Sequence, residues 1–236
     1  MNLNIDLSFR LQRKELPSVE EQYGWLWKFA CSLQKAGLPL DNWYPSASTP
    51  AASLLNKAFD ASGPTTAAIA MAKADTETYP GIRGLGVWNG IEGAGGIVLT
   101  DLVSVAGLST CELESDGIAG LSDPKILTDI IADATRIWPA SSIQAGPYKY
   151  FAKQQIFEKR PGAGWMLYLP KPLTVKQVPD ARELIPVMGD RQQTGTIIVS
   201  VIDEPFSADN PEHVKVANAI EVRLVDQDLL PLFTEL

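Results

Sequence analysis

Carboxylates are the side chains of this sequence best placed to do chemistry. Glu112, Glu114, Asp116, Asp123, Asp129 and Asp133 stand against a single Lys125, and Asp203-Glu204 follows an apolar run at 197–202. Two acids that converge in a concave site can act as general acid and base or hold a metal. The same acids spread over a surface instead attract a basic partner. Adjacent side chains of an extended strand point to opposite faces and Pro205 turns the chain, so Asp203 and Glu204 read better as a solvated turn than as a catalytic pair.

The remaining reactive residues exclude more than they suggest. His213 is the only histidine and sits in the first turn of an expected helix, so it reads as a surface or turn residue. A histidine-based triad or dyad would rest on it alone, and a zinc site would lack both imidazole pairs and paired thiolates. Cys31 and Cys111 have no base nearby in sequence and read as small buried side chains, which fits a reducing compartment; a disulfide between them is left open. The glycines at 81, 84, 86, 90, 93, 95 and 96 form no G-x-G-x-x-G between strand and helix and precede no Lys-Ser/Thr, so 90–96 reads as a hairpin connection. The basic island Lys149, Lys153, Lys159 and Arg160, interleaved with Tyr148, Tyr150 and Phe151, is expected on a solvated strand face. The six tryptophans are mostly core candidates. No cofactor or metal is expected.

Strand and helix signals that must position these residues alternate without a long linker, which predicts one domain over 1–236. Residues 2–11 read as a first strand. Ser18 caps a helix with Trp25, Leu26, Phe29, Leu33 and Ala36 on one face, closed by Gly37. Residues 43–45 read as a loop, Thr49-Pro50 opens a short helix to about 58, and an alanine-rich helix spans about 65–79. Strands at 85–88, 96–105 and 110–113 predict an antiparallel meander turned at Asn89-Gly90. Asp123-Pro124 opens a helix with Ile126, Leu127, Ile130, Ile131, Ala134 and Ile137 inward, ending before Pro139. Strands follow near 144–157, 165–169, 184–189 and 195–202. Asn210 then caps a last helix with Pro211 at its first position, and Glu212, Lys215, Asn218 and Glu221 mark its polar spacing. The fold class is α+β, a largely antiparallel sheet or sheets flanked by helices. Gly95-Gly96-Ile97-Val98-Leu99-Thr100 echoes Gly195-Thr196-Ile197-Ile198-Val199-Ser200, as a duplicated β-hairpin unit or two unrelated buried strands would.

Composition adds charge. The 236 residues carry a formal net charge of −8, and 45% are apolar, enough for a sizeable core. Twelve acidic and five basic residues lie in 37–147, whereas 148–180 holds six basic and two acidic. Such a distribution disfavours nucleic acid. Residues 1–15 alternate and include Asp6, Arg10 and Arg13, unlike the apolar core of a secretory signal, and no run is long enough to span a membrane. A cytoplasmic protein is expected.

Four segments carry a resemblance: Trp43-Tyr44, Phe59-Asp60-x-x-Gly63-Pro64, Leu85-Gly86-Val87-Trp88-Asn89-Gly90, and D-E-P-F-x-A-D-N-P-E-H-V-x-x-A-N-A-I-E from Asp203 to Glu221. In this order they resemble the immunity protein 52 family of bacterial polymorphic-toxin and type VI secretion systems. The resemblance is weakest between about 105 and 180. It implies a bacterial, non-enzymatic α+β protein that binds and neutralises a cognate toxin effector, commonly a restriction-endonuclease-like nuclease. An acidic inhibitor can compete for the basic surface that such a toxin offers DNA. Glu112, Glu114, Asp116, Asp129 and Asp133 are the expected contacts, with Asp203, Glu204 and Asp209 second. Trp88, Asn89, Gly90, Asn210 and Pro211 are expected to recur for structural reasons. An effector adaptor or chaperone and a small carboxylate-dependent enzyme are the competing expectations.

Overall fold

The computed structural model describes residues 2–75, 79 and 81–236. Strand β1 (Asn2–Phe9) opens the chain, as its alternation requires. Ser18 accepts the Glu21 N–H to cap α1 (Val19–Leu33), and Gly37, in the left-handed region at φ 84°, closes the short 3-10 turn that follows. Tyr44–Pro45 forms β2, Pro50–Ser53 forms α2, and Phe59–Asp60 with Gly63–Pro64 forms the small hairpin β3–β4. Helix α3 (Thr66–Asp75) precedes the predicted meander, β5 (Ile82–Trp88), β6 (Ile97–Ser104) and β7 (Ser109–Asp116).

Asp123 accepts from the Lys125 and Ile126 N–H groups to cap α4 (Pro124–Ile137), which leads into β8 (Ala140–Gly146). Then come α5 (Tyr148–Lys153), β9 (Met166–Leu169), β10 (Glu183–Met188), β11 (Gln193–Val199) and α6 (Pro211–Asp226). All but the small hairpin join one sheet, ordered β10-β11-β9-β8-β1-β7-β6-β5-β2, with every neighbouring pair antiparallel.

Helices cover the two faces of this sheet unequally. Leu3, Ile5, Leu7 and Phe9 of β1 and Ile97, Leu99 and Val103 of β6 point to one face, against α1 and α4, whose Leu26, Phe29, Leu127, Ile130 and Ile131 are buried with them. Fully burying an aliphatic side chain contributes about 1.5–3 kcal/mol, so this shared layer dominates stability. On the second face, α5 lies against β1, and the segment between α5 and β9, tied to α6 through Glu221, reaches Gln144 of β8; Ile197, Ile198 and Val199 of β11 are all buried. Helix α5 leaves Asn4 and Asp6 of β1 half-buried, whereas over β7, β6 and β5 the second face has no helix across it. Alternation there is strict: Val98, Thr100, Leu102, Glu112 and Glu114 are exposed, while their sequence neighbours are buried.

Several elements differ from expectation. Residues 44–45 are an edge strand rather than a loop, because Tyr44 and Pro45 pair with Trp88 and Val87. Helix α2 is one turn long, and α3 ends at Asp75; the expected continuation through 76–78 lies outside the described residues. The strand expected to reach 157 stops at Gly146, since Pro147 caps a new helix that carries Lys149 and Lys153. Glu221 and His213 are buried on α6 rather than solvated. The echoing segments fall on β6 and β11, each the inner strand of a hairpin near opposite ends of the sheet. The strand beside β6 follows it in the chain, whereas the strand beside β11 precedes its hairpin, so the likeness stops at the hairpin.

Candidate functional site

Strand pairing builds an acidic surface from residues far apart in sequence. On the open half-face, Asn2, Asn4 and Asp6 of β1 stand opposite Asp116, Glu114 and Glu112 of β7. Glu114 and Glu112 in turn face Val98 and Thr100 of β6, and Trp88 and Gly86 of β5 complete the row. Like charges directly across a strand pair repel, so Asp6 opposite Glu112 works against folding and needs another explanation. No lysine or arginine occurs on this face of β1, β5, β6 or β7, and among the described residues no cation pairs with Glu112, Glu114 or Asp116.

Asp6 was not among the expected contacts, although its place in an alternating first strand was visible. Burial pushes its carboxyl up to about 6, the Gln144 amide that donates to it pulls the other way, and the Glu112 and Glu114 charges add to the rise. Gln144 is itself fixed by the Gly162 N–H.

At the end of this half-face lies a cleft of about 650 Å³. Asn2, Asn4, Glu114 and Asp116 form its floor, Tyr148 of α5 stands on one side, and Trp88 with the 91–96 loop stands on the other. The walls are held from outside the cleft. Trp88 donates its indole N–H to Ser53 Oγ at 2.6 Å. The Asn89 side chain donates to the Gly95 carbonyl and accepts from the Ile91 and Ile97 N–H groups, closing the glycine-rich loop on itself. The loop is pinned to β7 through Gly95 N–H to the Asp116 carbonyl, 2.7 Å. Trp88 thus lines the cleft and Asn89 shapes the loop at its rim, while Gly90 turns the chain at φ 77° beside Tyr44 and Leu54. Asn210 and Pro211 start α6, the Asn210 side chain accepting the Glu212 N–H.

The other expected contacts do not join this surface. Asp129 and Asp133 ride on α4, on the opposite side of the sheet, and Asp133 is neutralised by Lys35 at 2.8 Å and Arg136 at 2.6 Å. Asp203 and Glu204 are exposed on the loop before α6. Glu204 accepts from His213 Nε2 at 3.1 Å, while His213 Nδ1 accepts the Ser207 N–H, which fixes the proton on Nε2 in the neutral ring. Asp209 is paired with Lys149. The single acidic surface expected from sequence is therefore three surfaces, because strand alternation and helix packing send these residues different ways. Among the described residues no group of three His, Cys, Asp or Glu side chains is arranged to hold a metal, and Cys31 and Cys111 are free.

No family model matches the chain. No curated protein sequence matches it either. Among solved structures it is similar to the T6SS protein PA0821 of Pseudomonas aeruginosa, with a TM-score of 0.51 and 14% identity, covering 93% of this chain and 72% of that one. At that identity the likeness is one of fold.

Proposed function

We propose that this protein is a non-enzymatic immunity protein that binds a cognate toxin effector of a type VI secretion or related system and neutralises it by direct contact. The observation that carries the reading is the open half-face, with four carboxylates on β1 and β7, no basic residue on that face of its strands, and apolar Val98 and Leu102 beside them on β6. Such a surface suits a basic partner: charge speeds encounter, and exposed apolar and aromatic groups supply affinity. The fold likeness to a T6SS protein and the four sequence motifs point the same way, and a nuclease, basic where it meets DNA, is the toxin class that fits. No helix among the described residues is long and apolar enough to cross a membrane.

Co-expression with the product of the adjacent reading frame tests the reading. Co-purification together with restored growth is the expected result. Dying cells and no complex would overturn it, and binding without protection would assign the adaptor role instead.

A further inference from the structure

We infer that the cleft at the end of the open half-face is a receptor for an arginine side chain of a basic protein partner. The inference rests on the partner-binding reading but assigns the place and the chemistry. Glu114 and Asp116 are two residues apart on β7, so both carboxylates leave the same side of the sheet, and both line the cleft without a cationic partner among the described residues. Asn4 and Asn2 stand opposite them and add amide oxygens that can accept from further N–H groups.

The walls decide between cations. Trp88 and Tyr148 flank the acids, and a planar guanidinium stacks on aromatic rings while donating in pairs to carboxylates; an ammonium is a strongly hydrated point charge that gains less from such walls. A divalent ion is the poorer occupant, since among the described residues no three His, Cys, Asp or Glu side chains are grouped to hold one, and an ion would gain nothing from the aromatic walls. The Trp88 indole N–H is already committed to Ser53, which leaves the ring as a wall of settled orientation.

The probe is agmatine, with cadaverine as the ammonium control, titrated into the isotope-labelled full chain and followed by amide and indole NMR shifts. Saturable shifts should centre on Asn2, Asn4, Gly93, Gly96 and the Trp88 indole, with agmatine binding at least about fivefold more tightly than cadaverine. Glu114→Gln with Asp116→Asn should abolish saturation, whereas Asp129→Asn should leave it intact. Shifts that never saturate, that spread equally to Asp129 and Asp203, or that survive the Glu114/Asp116 replacement would overturn the assignment. This titration decides the pocket whatever the toxin does. A toxin bound equally by wild type and a Glu114→Arg, Asp116→Arg variant removes the pocket from the interface while the immunity reading stands. A saturable agmatine site in a chain that captures no toxin leaves the pocket and removes the immunity reading.

Discussion

Asp101 is the residue at which the fold is most exposed to pH. It is wholly buried on β6 under α1, and neither carboxylate oxygen reaches a hydrogen-bond donor, although Gln22 and Arg83 join each other beside it. Burial raises its carboxyl to about 7, tempered by the Gln22 amide and the Trp138 indole, which lie close by without reaching it at hydrogen-bond length, and by the Arg83 charge. A folded-state value above the unfolded one means that the folded chain holds the proton more tightly. Its contribution to stability is therefore complete below about pH 4 and is lost as pH rises through 7. Asp101→Asn should remove that slope and stabilise the protein at pH 8 by on the order of 2 kcal/mol, with little gain at pH 4. Urea unfolding at the two pH values checks this; an unchanged difference between them would contradict it.

Among elements, α6 depends on one buried acid. Glu221 accepts the Tyr150 hydroxyl at 2.6 Å and the Ile156 and Ala163 N–H groups at 2.9 Å each, tying α6 to α5 and to the segment that follows. Burial still lifts its carboxyl above the usual range, against the pull of these bonds. Glu221→Ala would strand the Ile156 and Ala163 N–H groups, while the Tyr150 hydroxyl keeps Asn218 Oδ1 as an acceptor. A loss of about 2–4 kcal/mol is expected in denaturant melts, against about 1 kcal/mol for Tyr150→Phe. Equal losses for the two variants would show that packing, not the hydrogen bonds, holds the helix. On β11, a Cβ at Gly195 would come within 2.3 Å of the Tyr168 ring and 2.7 Å of the Leu169 carbonyl. Gly195→Ala should therefore cost about 1–3 kcal/mol despite adding only a methyl group, readable as a lowered melting temperature.

These elements also show what a sequence can reveal. Ser18, Asp123 and Asn210 marked their helices because a cap acts on N–H groups two or three residues away. The strand at 44–45 was hidden because its only distinction is a pairing with Trp88, some forty residues on. Glu221 read as solvated because the donors that permit its burial come from other segments. The same limit governed the site. Glu112, Glu114 and Asp116 share a face through local alternation, but that Asp6 joins them and Asp133 does not depends on which strand pairs with β7 and which face α4 covers.

Across the whole molecule, the open half-face links partner binding to protons. Asp6 titrates near 6 because it is buried beside Glu112 and Glu114, with the Gln144 amide as its one close donor. A basic partner laid over this face would favour the charged carboxylate and lower that value, so binding releases protons and tightens as pH rises from 5 to 7. Calorimetry of the complex at pH 6 in two buffers of different ionisation enthalpy should show net proton release. Asp6→Asn, which keeps an oxygen for Gln144, should flatten the pH dependence without abolishing binding. Raising salt should weaken association mainly through its rate, and Glu112→Lys with Glu114→Lys should weaken it far more than Asp129→Lys with Asp133→Lys. If the α4 pair proved the more damaging, the partner would dock on the helical side, and the repulsion between Asp6 and Glu112 would have no ligand to relieve it.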